Sequence, residues 1–260
     1  MHTILPQITV MMTEYKNSWL KDEERIDDLQ RDGLMIIQHP GKFCFGIDAV
    51  LLSGFCRLHR SYKVVDLGTG TGILPILLFA KTGAEHFVGI EIQPAMADMA
   101  SRSVKMNGLA DRISIINGDL KEASAMLGKN CYEAVVCNPP YYKVGGGKRN
   151  PVRELEIARH EVMCTIEDVV RESWAILKEN GHFFMIYTAS RLAEVLCLLS
   201  KSSLQPKRIR LIYPYAGKDA NLFMVEAVKG GREGMIVESP LIVYREPGIY
   251  TDEVKDIYSS

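Results

Sequence analysis

Asn138-Pro139-Pro140-Tyr141 follows a short β-branched run, Ala134-Val135-Val136-Cys137, and combines residue types suited to one chemical task. An exocyclic aromatic amine is a poor nucleophile because its lone pair is delocalised into the ring. Two acceptors aimed at its two N–H bonds favour a pyramidal nitrogen and release that lone pair. Asn138 can supply its side-chain oxygen and Pro139 its backbone carbonyl, and the prolines restrict φ and keep the two in place. Tyr141 offers a flat face to a planar substrate, and base–aromatic stacking is worth about 1–3 kcal/mol per base. Asn138, Pro139 and Tyr141 are therefore the candidate catalytic residues. The motif suits adenine, cytosine or a glutamine amide equally, since each presents an NH2 on a planar group. An isolated Asn-Pro-Pro also makes a rigid turn, so its meaning depends on its neighbours.

The strongest neighbour is Val64-Val65-Asp66-Leu67-Gly68-Thr69-Gly70-Thr71-Gly72, a strand running into a glycine-rich turn. Gly68, Gly70 and Gly72 let the backbone approach a ligand closely. Their G-x-G-x-G spacing differs from the G-x-G-x-x-G that seats a dinucleotide pyrophosphate on a helix N-terminus. Asp66 would repel a phosphate but attract the ammonium of an amino-acid-bearing nucleoside, which favours S-adenosyl-L-methionine over NAD. Glu91 ends the next strand 19 positions after Gly72, where an acid can accept both ribose hydroxyls. Asp119 follows the third strand and suits the adenine amino group. Thr69, Ile92 and Leu120 flank these groups, and Asn138 borders the same pocket. A single acid after a strand is often only a helix cap; three acids ending three successive strands beside a glycine turn make a cofactor pocket.

These residues need a parallel sheet to carry them. Strand patterns at 63–66, 86–91, 112–117, 134–137, 182–187, 207–213 and 222–228 alternate with helical patterns at 74–81, 94–107, 166–179 and 190–201. Such alternation predicts an α/β, Rossmann-like fold: a seven-stranded, mainly parallel sheet with an antiparallel end and helices on both faces. Pro94 suits a first helical turn, and Asn107-Gly108 and Asn180-Gly181 read as helix stops. The expected organisation is a disordered tail at 1–17, an accessory segment at 18–60, the catalytic domain at 61–230, and a C-terminal strand or arm and polar tail at 231–260. With 260 residues, 47% hydrophobic and 24% charged at net charge -1, the composition is that of a soluble globular chain. No apolar run reaches the roughly 18 residues of a membrane span, and the start lacks a signal-peptide pattern. Six scattered cysteines without a C-x-x-C pair read as reduced thiols of a cytoplasmic protein with no metal site.

Strand, D-L-G-T-G-T-G, a distal acid and N-P-P-Y together resemble the amino-directed class I S-adenosylmethionine methyltransferases. Glu24-Arg25-Ile26-Asp27, the run from Phe43-Cys44-Phe45-Gly46-Ile47-Asp48 to Ala49-Val50-Leu51-Leu52, and Ala158-Arg159-His160-Glu161 resemble the bacterial tRNA1(Val) adenine-37 N6-methyltransferase family, most closely its Gram-positive branch. The resemblance implies tRNA as partner and places Asp48 near the methionyl end of the cofactor, although an N-cap before Ala49 explains Asp48 equally well. Pro140, Tyr142, Lys143, Lys148 and Arg149 form a basic loop beside the motif that could close over a polyanion. Lys201, Lys207, Arg208 and Arg210 make a second positive stretch able to contact phosphates. Arg159-His160-Glu161 reads equally as a salt-bridged helix start, and Tyr213-Pro214-Tyr215 as a stacking surface or a packed loop. A protein glutamine-N5 methyltransferase and a non-catalytic RNA-binding factor retaining the fold are the alternatives. A DNA adenine methyltransferase is a third reading, weakened because the sequence shows no separate target-recognition domain long enough for specific duplex readout.

Overall fold

A computed structural model describes residues 18–41, 46–139 and 164–259. Residues 1–17, 42–45, 140–163 and 260, with Pro140, Tyr141, Tyr142, Lys143, Lys148, Arg149 and Arg159-His160-Glu161 among them, lie outside the described residues. Strands β1 (Arg25–Asp28) and β2 (Met35–Gln38) form an antiparallel hairpin. Then come α1 (Ile47–Phe55), β3 (Lys63–Leu67), α2 (Ile73–Thr82), β4 (His86–Glu91), α3 (Pro94–Met106), β5 (Ile113–Asn117), α4 (Ala123–Leu127) and β6 (Tyr132–Cys137). The second half holds α5 (Ile166–Ile176), β7 (Leu177–Thr188), α6 (Leu192–Lys201), β8 (Leu204–Tyr215), β9 (Leu222–Lys229), β10 (Ile236–Val237), β11 (Leu241–Glu246), β12 (Ile249–Tyr250) and α7 (Asp252–Ser259).

The sheet runs β12-β11-β8-β9-β7-β6-β3-β4-β5, with β10 also paired to β8. Strands β3 to β7 pair in parallel, and β9 runs antiparallel to both β7 and β8. The seven expected strands therefore all form, and β10, β11 and β12 widen the sheet to ten. Buried Val64, Val65, Phe87, Ile90, Val135, Val136, Phe183 and Phe184 occupy both faces of the central strands, as expected when helices cover each side. The β1–β2 hairpin docks on α3: Ile37 N donates to Ser103 Oγ at 2.9 Å and Met35 N to Asn107 Oδ1 at 2.9 Å. Arg102 pins the preceding chain by pairing with Glu24 and Asp98, each at 2.7 Å.

Three expectations change. The α5 helix starts with a Thr165–Asp168 capping box and stops at Ile176, three residues before the end of the helical pattern. Leu177 already pairs with Tyr132, and the next register pair is Ala134 with His182. Residues 178–181 thus bulge out of β7, and Asn180-Gly181 turns that bulge instead of closing a helix; Asn180 has φ 62°. Next, the stretch from Arg245 is not merely a polar tail, since β12 and α7 fold back on the core. Val254 is fully buried, and α7 packs so closely on α1 that a Cβ on Gly54 would lie 2.7 Å from Ile257 Cγ2. Tyr215, Tyr244, Tyr250 and Tyr258 stack in series with centroids 5.5, 5.2 and 5.8 Å apart, so Tyr215 packs this C-terminal structure.

Third, most of the positive stretch before and within β8 is internal. Arg208 Nε meets Glu226 at 2.7 Å, its Nη1 meets Glu238 at 3.0 Å, and the guanidinium lies 3.8 Å from the Phe55 ring centroid. Arg210 pairs with Glu253 at 2.5 Å, and Lys207 Nζ donates to the Arg232 carbonyl at 3.1 Å. Residues 208 and 210 share one face of a strand, and that face is covered by α1 and α7. Only Lys201, at the end of α6, remains exposed and available to a polyanion. Burial pushes the Glu226 carboxyl up, but hydrogen bonds from His182 and Arg208 outweigh it and hold the group below its ordinary range. Arg208→Ala would remove the buried guanidinium between Glu226 and Glu238, leaving them only His182 and the exposed Arg57, and should lower unfolding free energy by about 3–5 kcal/mol. Equilibrium urea unfolding measures this, and a loss below about 1 kcal/mol would show that the pair behaves as a surface contact.

Candidate active site

Parallel pairing brings the carboxyl ends of four strands to one edge. Leu67 of β3 lies opposite Ile90 of β4 and Cys137 of β6, and Glu91 lies opposite Asn117 of β5. The chain accordingly leaves the sheet side by side at Gly68, Ile92, Gly118 and Asn138.

Gly68, Gly70 and Gly72 all take left-handed φ, at 77°, 58° and 85°, where side-chain-bearing residues are strained. The turn is held by Gly68 N and Thr69 N donating to the Ile90 carbonyl at 2.9 and 3.0 Å. Gly72 opens α2, and a Cβ there would press on Ala100 of α3 at 3.2 Å. Glu91 is buried, and both its oxygens accept backbone hydrogen bonds: Oε2 from Gly70 N at 3.0 Å and Oε1 from Gln93 N at 2.9 Å. The ribose acid expected from sequence thus also fastens the glycine turn to the start of α3. Each carboxylate oxygen has a second lone pair for a ligand hydroxyl.

Asp66 is fully buried, and neither of its oxygens, nor the buried Thr69 hydroxyl, has a hydrogen-bond partner among the described residues. Burial raises its pKa to about 7; the nearby Thr69 hydroxyl lowers it somewhat and the Glu91 charge raises it further. Unpaired buried acceptors beneath a turn stripped of side chains suit a ligand bearing positive charge, and a phosphate would only add repulsion. These residues fit the ammonium-bearing end of S-adenosyl-L-methionine. Asp119 caps the short turn Leu120–Glu122, with Oδ1 accepting from Lys121 N at 2.9 Å and Oδ2 3.4 Å from Lys121 Nζ. It combines the plain capping role with a place beside the pocket. Ile92 and Leu120 are half-buried at this edge. Asn138 is half-buried and Pro139 buried, immediately beyond the β6 residue that faces Leu67.

A family profile, the methyltransferase small domain, matches residues 33–201. The chain belongs to that family. A curated relative from Aeromonas hydrophila, named tRNA1(Val) (adenine(37)-N6)-methyltransferase, is 23% identical over 208 residues, covering 80% of this methyltransferase and 85% of its own length. A crystal structure of a predicted O-methyltransferase from Agrobacterium tumefaciens superposes with a TM-score of 0.64 at 25% identity, over 82% of this chain and 97% of that one. M. jannaschii TYW2, solved in complex with AdoMet, shares the fold with a TM-score of 0.57 at 15% identity, over 81% of this chain and 88% of its own.

In this methyltransferase Asp48 is not an N-cap. Helix α1 begins at Ile47 after Gly46, which places Asp48 inside the first turn and buried. Gly89, in the middle of β4, also shapes the site. A Cβ there would lie 2.8 Å from Thr69 Oγ1, so the bare strand position makes room for the turn; a glycine inside an apolar strand is the signal that could have found it. Asp66 gives a pH prediction. Between about pH 4 and pH 7 the folded protein keeps a proton that the unfolded chain releases, so stability falls as pH rises through that window. Ligand-free thermal melts should therefore show wild type losing ground against Asp66→Asn from pH 5 to pH 8. A difference that stays constant with pH would mean Asp66 is ionised throughout.

Proposed function

We propose that this methyltransferase moves the methyl group of S-adenosyl-L-methionine to the exocyclic N6 of adenine in tRNA, at position 37 beside the anticodon, in the cytoplasm. The observation that carries this reading is the register of β3 with β6, which sets Asn138 and Pro139 next to the glycine turn and its unpaired acid. The substrate follows from the name of the Aeromonas hydrophila relative, and the cofactor from the fit of Asp66 and from the AdoMet complex of the TYW2 fold neighbour. Kinship with the Gram-positive branch rests on the sequence motifs alone.

In this reading Asp66 and the glycine turn seat the methionyl end, Glu91 accepts the ribose hydroxyls, and Asp119 meets the adenine amino group of the cofactor. When bound, the cofactor supplies an electrophilic methyl on a sulfonium, a leaving group good enough that the chain need provide neither a metal nor a strong base. Asn138 Oδ1 and the Pro139 carbonyl each accept one N–H of the target amine, which turns its lone pair toward the methyl carbon. Tyr141 stacks on the target ring, recovering part of the few kcal/mol spent in unstacking it. Pro140, Tyr142, Lys143, Lys148 and Arg149 serve substrate binding, the basic ones through the tRNA phosphates. Alignment of the amine with the methyl carbon accounts for most of the acceleration.

The deciding experiment incubates the protein with labelled cofactor and total tRNA from a strain lacking it, then digests the RNA and identifies the nucleoside. N6-methyladenosine is expected; label confined to protein would favour glutamine methylation. Asn138→Ala should cut turnover by about 10²–10³ while leaving affinity for S-adenosylhomocysteine within about threefold; loss of both together would make Asn138 a scaffold residue. Lys148→Glu combined with Arg149→Glu should weaken tRNA binding, and more so at low salt than at high. Equal affinity at low salt would remove that loop from the interface.

A further inference from the structure

The end of β4 is held by contacts that the cofactor reading leaves unused. Asn117 closes β5 directly opposite Glu91. Its Nδ2 donates to the Glu91 carbonyl at 2.8 Å and to the Ile92 carbonyl at 3.2 Å, so both amide hydrogens are used. The reverse amide orientation would aim Oδ1 at two carbonyl oxygens, so the acceptors themselves fix which way the side chain faces. Gly118 N adds a second donor to the Glu91 carbonyl at 3.0 Å. On the side-chain end, the Glu91 carboxylate takes hydrogen bonds from Gly70 N and Gln93 N.

Glu91 is thus gripped twice, its backbone by β5 and its carboxylate by the glycine turn and the start of α3. We infer that Asn117 is a positioning residue for cofactor binding: by fixing the Glu91–Ile92 peptide it sets where the Glu91 carboxylate stands, and so ties the three cofactor-facing loops into one rigid cradle. This rests on the proposed role of Glu91 toward the ribose hydroxyls. A polar residue that simply finished β5 would need only one of these carbonyls. Asn117 takes two consecutive ones, which fixes the orientation of the peptide as well as its position.

A double-mutant cycle on the full chain tests it, with S-adenosylhomocysteine binding measured by titration calorimetry. Asn117→Ala should weaken binding about tenfold, the order expected from losing one or two hydrogen bonds. Glu91→Ala should weaken it more. Adding Asn117→Ala to Glu91→Ala should change affinity less than about twofold, because the amide acts through the carboxylate. In turnover assays Asn117→Ala should raise the cofactor KM and leave kcat at saturating cofactor and the KM for tRNA close to wild type. Should Asn117→Ala fail to fold, Asn117→Ser, which keeps one donor, carries the same cycle with a smaller single effect. An unchanged affinity in the single variant, or the same loss with and without Glu91, would overturn the inference. Glu91→Ala binding like wild type would remove Glu91 as the ribose anchor, and a wild type that does not bind S-adenosylhomocysteine would overturn the cofactor reading itself.

Discussion

Everything functional in this chain depends on the parallel hydrogen-bond register among β3, β4, β5 and β6. Parallel strands end in the same direction, so the residues that follow Leu67, Ile90, Asn117 and Cys137 emerge together without any need to be close in sequence. A shift of one residue between β3 and β4 would send every side chain of the slipped strand to the opposite face of the sheet and move Glu91 away from the Gly70 amide. The apolar content of both sheet faces therefore protects this edge: the hydrophobic energy that resists slippage also keeps Asp66, Glu91 and Asn138 aligned.

The site itself is polar and partly unsatisfied. Each Glu91 carboxylate oxygen already accepts one backbone hydrogen bond, whereas the Asp66 carboxylate and the Thr69 hydroxyl have no such partner among the described residues. An orphaned carboxylate in a low-dielectric interior costs folding free energy, and its pKa near 7 is the form that cost takes in the absence of a positive partner. That arrangement is what a ligand-binding site requires. A group already paired within the protein would have less to gain from a cation.

The distribution of basic residues follows a different logic. Lys229 is buried with its ammonium bonded to Asn130 Oδ1, the Trp174 carbonyl and the Leu177 carbonyl at 2.7, 2.8 and 2.9 Å, and so closes the C-terminal end of α5. Together with Arg208 and Arg210 it serves the packing of the sheet and its covering helices. Cations that look available in a linear reading, Arg208 above all, are consumed inside.

Local residue types were enough to reveal the glycine turn, the acids at 66, 91 and 119, the Asn138-Pro139 pair and the order of the seven main strands, because each depends on short-range stereochemistry or on the two-residue period of a strand. A C-terminal strand or arm was legible too, but its pairing along β8, the return of β12, the docking of α7 on α1 and the early end of α5 were not, since they are decided by partners distant in sequence: Leu241 against Ile212, Tyr250 against Tyr244, Ile257 against Gly54, Leu177 against Tyr132. The same holds for charge. Sequence alone supplied the number and order of the basic residues; which of them face inward was decided only when β8 took its place between β9 and β11, because burial and pairing belong to the assembled sheet and to no single segment.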